Sequence, residues 1–215
     1  MDINTRIATR LRNLRDARGY SLGTLAERSG VSRSNISLIE RGHSSPTAVV
    51  LDKLAIGLGV ALASFFDDTS AATQPPSPLI RVADQPVWQD PASGYVRRQL
   101  SPPARSALQL VDVVFPPGQR VALESAVQDA HIHQQVWMIE GSMEITVGDT
   151  PWLLNAGDCL SMQLNQPIGF HNPTHTTARY LVALATLAPQ GFAPRMASHP
   201  APNAPTKPRK TRRAS

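Results

Sequence analysis

The sequence predicts two domains of different class, a small all-α domain followed by an all-β domain. Up to about residue 66, apolar residues recur at the three- and four-residue spacing of amphipathic helices. Beyond residue 79 they occur in short β-branched or alternating runs separated by turn residues. A stretch rich in Pro, Ser, Thr and Ala separates the two patterns and cannot form a core. The predicted boundaries are a helical domain over 1–66, a linker over 67–78, a β-domain over 79–187 and a tail over 188–215.

The first two helices follow from apolar spacing and from stop residues. Residues 4–18 form an amphipathic helix with Ile7, Leu11 and Leu14 on one face, and Gly19 ends it. Ser21 carries the hydroxyl that caps a second, shorter helix, which Gly30 terminates.

A third helix lies between Gly30 and Gly42. Ile36 and Ile39 recur at helical spacing and form its packing face, and Ser32 is the predicted cap of its first turn. The opposite face carries Arg33, Ser34 and Ser37. The N-terminal end of such a helix is the part that touches bases in the major groove of DNA.

The fourth helix is predicted to contain Pro46 one or two residues after its start and to end at Gly57 and Gly59, with a final turn over 61–66. Its apolar residues are Val49, Val50, Leu54, Ala55 and Leu58.

These helices carry a resemblance to a known family. The motifs Leu14-Arg15, Arg18-Gly19, Leu25-Ala26, Gly30-Val31-Ser32, Ile36-Ser37, Ile39-Glu40 and Leu58-Gly59-Val60 resemble the Cro/C1-type (XRE family) helix-turn-helix domain. The resemblance implies a lambda repressor-like bundle that binds a double-stranded DNA operator. It also implies a buried ion pair between Arg15 and Glu40 that holds the fold.

The same resemblance implies a set of DNA-binding residues. Arg33 and Ser34 would face base edges, with Ser37 one turn further on, and Arg33 could pair bidentately with guanine, which is worth about 1–3 kcal/mol of discrimination. Phosphate contacts would lie near Ser21, Arg41 and Ser44, and Ser32 and Asn35 complete the predicted surface. Leu22 stands where many members carry a polar phosphate contact, so that contact is missing or moved. A helix-turn-helix can also serve only as a protein-contact module, as in antitoxin-like proteins.

The second domain is predicted to be an antiparallel sandwich or closed barrel that can enclose a small ligand. Its predicted strands are Leu108 to Phe115, Val136 to Ile139, Ser142 to Val147, Trp152 to Leu154, Cys159 to Met162 and Arg179 to Ala185. The turns Pro117-Gly118, Glu140-Gly141 and Ala156-Gly157-Asp158, with Pro167 and Asn172, are similar to the two motifs of the cupin fold. The implied fold is an all-β cupin (double-stranded β-helix) barrel.

The cupin motifs predict neither a metal nor a cofactor, and hence no enzyme. Metal-dependent cupins carry two histidines and a glutamate in the first motif and a third histidine in the second. Glu124 and Ala126 occupy the first two of these positions here, Gln134 the third and Ile168 the last. His131 and His133 reopen the question, because residues two apart on a strand share a face. The strand register, however, puts His133 on the same face as Trp137, opposite to Gln134 and Met138, so His133 and Gln134 can both point inward only if a bulge intervenes. A metal-dependent cupin enzyme is therefore kept as the alternative.

A small-molecule effector pocket is the preferred interpretation of the barrel. Its candidate residues by register are Glu124, Gln134, Met138, Met162 and His171, with Trp137 and Arg98 as weaker candidates.

The charge distribution predicts where DNA binds. Lys and Arg minus Asp and Glu gives +2 over residues 1–68, −3 over 69–190 and +6 over 191–215, so the two ends of the chain are basic. The Pro- and Ala-rich tail is expected to be disordered. With one cysteine, Cys159, and no long apolar run, the sequence favours a soluble cytoplasmic protein without membrane contact. It predicts a homodimeric, sequence-specific transcriptional regulator that binds a twofold operator.

Overall fold

The computed structural model describes residues 2–66, 77–104, 106–124 and 132–186. Most of the predicted linker, the predicted tail, Ala126 and His131 lie outside these residues. No helix in the described part of the chain is long and apolar enough to cross a bilayer.

Four helices form the N-terminal part, followed by a short 3-10 turn at Leu62–Phe65. The helices are α1 (Ile3–Ala17), α2 (Leu22–Ser29), α3 (Arg33–Glu40) and α4 (Ala48–Leu58). The predicted caps are present, because the Ser21 hydroxyl accepts a hydrogen bond from the Thr24 N–H and the Ser32 hydroxyl accepts one from the Asn35 N–H. Gly30 ends α2 with a φ of 67°, a left-handed conformation that side chains disfavour.

The start of α4 differs from the prediction. Thr47 caps the helix by accepting a hydrogen bond from the Val50 N–H, so Pro46 precedes the helix and does not lie within its first turn. Val49, predicted on the apolar face, is exposed. The buried side instead follows Ala48, Leu51, Leu54, Ala55 and Leu58, a stripe that leaves Val49 outside.

Among the described residues of the C-terminal part, ten strands form two antiparallel sheets. They are β1 (Val87–Gln89), β2 (Val96–Gln99), β3 (Leu108–Phe115), β4 (Arg120–Leu123), β5 (Ile132–Glu140), β6 (Ser142–Val147), β7 (Thr150–Asn155), β8 (Cys159–Gln163), β9 (Ile168–His171) and β10 (Ala178–Thr186). One sheet has the order β1-β2-β3-β10-β5-β8 and the other has the order β4-β9-β6-β7. The predicted all-β class is confirmed.

Strand alternation turns one face of each sheet inward. In β5 the buried positions Gln134, Val136 and Met138 alternate with the more exposed His133, Gln135 and Trp137, which is the predicted register. The paired strands β3 and β10 bury Val113 and Tyr180 in the same way. Side chains from both sheets therefore meet in one barrel interior.

The helical part packs directly on the barrel, which the sequence did not indicate. Helix α4 lies against β4, and buried apolar side chains of both parts form one continuous cluster. Trp88 of β1 makes edge contacts with Phe66, at the end of the helical part, and with Tyr95 in the β1–β2 loop. The Arg97 guanidinium lies 4.1 Å from the centre of the Phe66 ring.

Candidate nucleic-acid interface and barrel cavity

Helix α3 is held in place by an ion pair with α1. The Arg15 Nε lies 2.6 Å from Glu40 Oε1, and Arg15 Nη2 lies 2.9 Å from Glu40 Oε2, so the guanidinium donates two hydrogen bonds to one carboxylate. Glu40 is only 8% exposed. The hydrogen bond to Glu40 raises the pKa of Arg15. This confirms the ion pair that the family resemblance implied.

Two further contacts orient the start and the end of α3. The Ser32 cap makes Arg33 the first residue of the helix, where Arg33 and Ser34 are both exposed. At the other end, Arg12 Nη2 donates to the Glu40 carbonyl oxygen at 2.8 Å. The helix therefore presents a free N-terminal end while its C-terminal end is tied to α1.

A shallow surface depression collects four of the eight predicted DNA-binding residues. It is lined by Leu22, Arg33, Ser34, Ser37, Leu38 and Arg41. Two guanidinium groups and the positive end of the α3 dipole lie along it, and such an arrangement attracts phosphate oxygens. We call this depression the reading surface.

The remaining predicted DNA-binding residues lie outside the lining of the reading surface. Ser21 and Ser32 are exposed, and their hydroxyls are engaged as helix caps. Asn35 and Ser44 are half-buried, with Ser44 in the loop between α3 and α4. Leu22, the residue that departs from the family pattern, lines the reading surface beside α3.

A cavity of about 100 Å³ lies inside the barrel. Its polar or charged lining residues are Asp52, Arg97, Gln134 and the tyrosines Tyr95 and Tyr180, and the others are apolar. Its wall combines strands from both sheets with residues of α4 and of the turn after it. The cavity is thus shared by the helical part and the barrel.

Of the five predicted effector residues, some lie inside the barrel and others lie on its surface. Gln134 lines the cavity, whereas Met138 and Met162 are buried inside the barrel without lining it. Glu124 is exposed just after β4, where its backbone N–H donates to Asp52 Oδ2 at 2.7 Å.

The fifth, His171, lies outside the cavity because Ile168 and Phe170 take the inward positions of β9. Its Nδ1 is 3.2 Å from Arg120 Nη2 and 3.5 Å from Glu144 Oε1, at the surface. Of the weaker candidates, Trp137 is half exposed and Arg98 is half-buried, and neither lines the cavity.

Sequence reasoning missed Asp52, Tyr95 and Arg97 as cavity residues. Asp52 is 2% exposed, and apart from Lys53 the rest of α4 is apolar. A charged residue within the run Val49-Val-Leu-Asp-Lys-Leu-Ala was the available signal. Burial raises the pKa of Tyr95 far above its ordinary value, which keeps its hydroxyl protonated.

The alternative of a metal site depended on His131 and His133. Among the described residues, no group of three or more His, Cys, Asp or Glu side chains is placed to hold an ion. His133 lies on the outward side of β5 with Trp137. His131, its proposed partner, lies outside the described residues.

Comparisons with known proteins identify the helical part. The HTH_3 helix-turn-helix family model matches residues 11–65. The transcriptional regulator SutR of Escherichia coli strain K12 is 45% identical over 67 residues, which are 31% of this chain and 38% of SutR. The regulator PuuR of the same strain is 25% identical over 176 residues, covering 81% of this chain and 91% of PuuR. The chain thus spans 38% of SutR but most of PuuR.

A solved structure is similar over most of the chain. An HTH_3 family transcriptional regulator from Vibrio cholerae matches with a TM-score of 0.65 and 25% identity, covering 86% of this chain and 98% of that one.

The exclusion of an enzyme is wrong as a prediction. The similar solved structures include hydroxypropylphosphonic acid epoxidase from S. wedmorenis, with 17% identity, a TM-score of 0.40 and coverage of 85% of this chain and 97% of that one. The exclusion rested on counting ligands at motif positions, which tests one mode of catalysis only. Similarity at this TM-score assigns no activity to this chain either.

The helical fold, the Arg15–Glu40 pair, the family match and the regulator structure agree with one another. Residues 11–65 form an HTH_3 (XRE-family) helix-turn-helix domain, and the chain has the fold of an HTH_3-family transcriptional regulator.

Proposed function

We propose that this chain is a sequence-specific, DNA-binding transcriptional regulator. The observation that carries the proposal is the reading surface, where Arg33, Ser34, Ser37 and Arg41 line one exposed depression at α3. A rigid α3 supports it, because the Arg15–Glu40 pair fixes the helix to α1.

In this proposal α3 enters the major groove of a double-stranded operator. Arg33 donates two hydrogen bonds to a guanine edge, and Ser34 and Ser37 contact neighbouring base edges. Arg41, with the backbone near Ser21 and Ser44, contacts phosphates and fixes the register without reading sequence. Such a regulator acts in the cytoplasm, where bacterial DNA is found.

The β-domain supplies two further functions in this proposal, dimerisation and effector binding. Trp137 on β5 and Trp152 and Leu153 on β7 are exposed, and exposed large apolar side chains are typical of subunit contacts. A homodimer presents two reading surfaces to two half-sites about one helical turn apart. A small molecule in the barrel cavity then shifts DNA affinity to the extent that it binds one arrangement of the dimer better than another.

The direct test is a fluorescence polarization titration against the DNA upstream of the chain's own gene, at fixed salt and with random DNA as competitor. The proposal expects competitor-resistant binding to an inverted repeat. Binding no tighter than to random DNA, over the whole salt range, contradicts it and favours a protein-contact module.

A matched pair of variants tests the assigned contact. Arg33→Ala should weaken operator binding by about 1–3 kcal/mol and relax the preference at one base pair, because a bidentate guanine contact is lost. Arg81→Ala removes the same charge at an exposed position before β1 and serves as the control. An unchanged base preference in Arg33→Ala would show that Arg33 does not read a base.

Light scattering in solution tests the dimer. The proposal expects twice the chain mass of 23.2 kDa. A monomer at the concentrations that give operator binding contradicts the twofold arrangement, although a single half-site could still be bound.

A further inference from the structure

We propose that the effector site is built jointly by the barrel and by helix α4 of the DNA-binding domain, and that it takes a small, uncharged, largely apolar molecule with one polar end. This inference rests on the proposed function, because it assigns a ligand class and a route of regulation to the same cavity. It places the ligand in direct contact with the DNA-binding domain.

The lining of the cavity carries the first step. Asp52, Ala55 and Ile56 of α4, with Ala61, Leu62 and Ala63 of the following turn, line the same cavity as inward residues of β3, β5, β9 and β10. Asp52 also accepts a hydrogen bond from the Glu124 N–H at the end of β4. A ligand in the cavity therefore touches the helical domain and the barrel at once.

Helix α4 is fastened to the barrel at two points. Asp90, in the β1–β2 loop and 2% exposed, accepts a hydrogen bond from the Ala48 N–H at the first residue of α4, at 2.9 Å. About one turn further along, Asp52 accepts the Glu124 N–H at 2.7 Å. These two carboxylates, one from each domain, hold α4 over the cavity as a wall.

Helix α4 also contacts α2, the partner of the recognition helix. The Arg28 Nε donates to the Gly57 carbonyl oxygen at 3.3 Å. A Cβ on Gly57 would lie 2.9 Å from the Ser29 Cβ, so the two helices approach at backbone distance. Movement of α4 away from the barrel therefore has to move α2 or open this contact.

Size limits the ligand. The cavity volume is about 100 Å³, whereas an apolar cavity of roughly 150 Å³ holds benzene. A molecule of a few non-hydrogen atoms fits the closed arrangement. A larger effector has to displace lining side chains, and because Asp52, Ala55 and Ile56 of α4 are among them, it pushes on α4.

Charge limits it further. The charged lining residues are Asp52 and Arg97, which carry opposite formal charges, and the lining therefore has no net charge. An ion would enter without a net countercharge and would lose its hydration, which is costly in an apolar cavity. A neutral polar end can instead exchange hydrogen bonds with the Gln134 amide or the Tyr95 hydroxyl, both on the lining.

The test uses isobutanol as the probe, with isobutyrate and isobutylammonium as charged molecules of similar shape. Isoleucine methyl groups of the full chain are labelled for NMR, because Ile56 of α4 and Ile168 of β9 line the cavity from opposite domains and Ile7 lies in the helical core away from it. We expect isobutanol to shift the Ile56 and Ile168 signals saturably with one common midpoint and to leave Ile7 unchanged. The two ions should need at least tenfold higher concentration.

Three outcomes overturn the proposal. A saturable shift of Ile168 without Ile56 would show that α4 takes no part in the site. Equal midpoints for the neutral and charged probes, or no saturable shift of either lining methyl group, would contradict the ligand class.

A blocking variant adds an independent check. Ala63→Phe fills the cavity from the half-buried turn after α4, whereas Ala122→Phe adds the same ring at an exposed position of β4 outside the cavity. The first should raise the isobutanol midpoint more than tenfold and the second should leave it unchanged. An unchanged midpoint in a folded Ala63→Phe variant contradicts the assigned site.

Operator titrations separate this inference from the proposed function. Specific operator binding without any methyl shift would leave the regulator intact and remove the joint site. Methyl shifts without specific operator binding would leave the joint site and remove the regulator.

Discussion

Helices α3 and α4 belong to one small domain but are held in different ways. Helix α3 is fixed from within the domain, by the bidentate ion pair between Arg15 and Glu40. Helix α4 is fixed from outside it, by the Asp90 carboxylate at its first residue and by the Asp52 contact with β4. Helix α3 is thus anchored within the helical domain, whereas α4 is hydrogen-bonded to the barrel, so α4 is a direct route for a signal from the barrel, beside the contact between α1 and β1.

Breaking the anchor of α3 should have the largest effect on stability. Glu40→Ala leaves the half-buried Arg15 guanidinium without the Glu40 carboxylate, while Asp16 and the Tyr20 carbonyl oxygen still accept from it, so we expect a loss of about 3 kcal/mol, the lower end of the range for a buried pair. Urea unfolding of the full chain measures the loss. Glu27→Ala removes an exposed carboxylate from α2 and is the control, expected to change the free energy of unfolding by less than about 0.5 kcal/mol. Equal losses in the two variants would show that the pair does not hold the domain.

Breaking the anchor of α4 comes next. Asp90→Ala removes the acceptor of the buried Ala48 N–H and of the Ser93 N–H and hydroxyl, and each buried donor left unpaired costs about 1–3 kcal/mol before water compensates. We expect a net loss of about 2–3 kcal/mol, seen as a lower urea midpoint. Asp84→Ala, at an exposed site, is the control. A midpoint equal to that of the control would mean that the barrel does not fasten α4.

Two glycine-to-alanine variants should change the free energy of unfolding in opposite directions and so sharpen the comparison. Gly57→Ala puts a methyl group 2.9 Å from the Ser29 Cβ, so α4 and α2 must separate, at a cost of about 1–3 kcal/mol. Gly23→Ala in α2 meets only the Ser21 hydroxyl oxygen at 3.5 Å, an ordinary contact, and should stabilise by about 0.5–1 kcal/mol through helix propensity. Thermal unfolding distinguishes the two. Stabilisation by both would contradict a close α2–α4 approach.

The helical domain was predictable because its signals are local. Capping hydroxyls at Ser21 and Ser32 and the glycine at Gly30 mark helix ends within a few residues of sequence. Pro46 was misplaced because a proline favours the start of a helix without saying whether the cap precedes or follows it, and Thr47 supplies the cap.

The β-domain was predictable in class but not in detail. The strands β1, β2, β4 and β9 were missed because each has only three or four residues. Without β9, the side on which His171 falls could not be deduced. The inward position of Gln134 could be predicted because the long strand β5 alternates clearly, whereas its role in effector binding stays a prediction.

The charged residues of the cavity were not predicted for a different reason. Asp52 and Arg97 carry charges, and a charged residue in a sequence indicates surface unless its partners are known. Their burial arises only when the helical domain packs on the barrel, a contact between residues far apart in the chain.

The burial of Trp88 turns the junction between the domains into a fluorescent reporter. Trp88 is 2% exposed and lies between Phe66 and Tyr95, whereas Trp137 and Trp152 are about half exposed. Acrylamide should therefore readily quench the fluorescence of Trp137 and Trp152. The protected, blue-shifted emission that remains comes from Trp88 at the junction. Because Phe66 shields Trp88 from the helical side, a rise in quenchable emission reports the opening of this contact in the unlabelled chain, in real time.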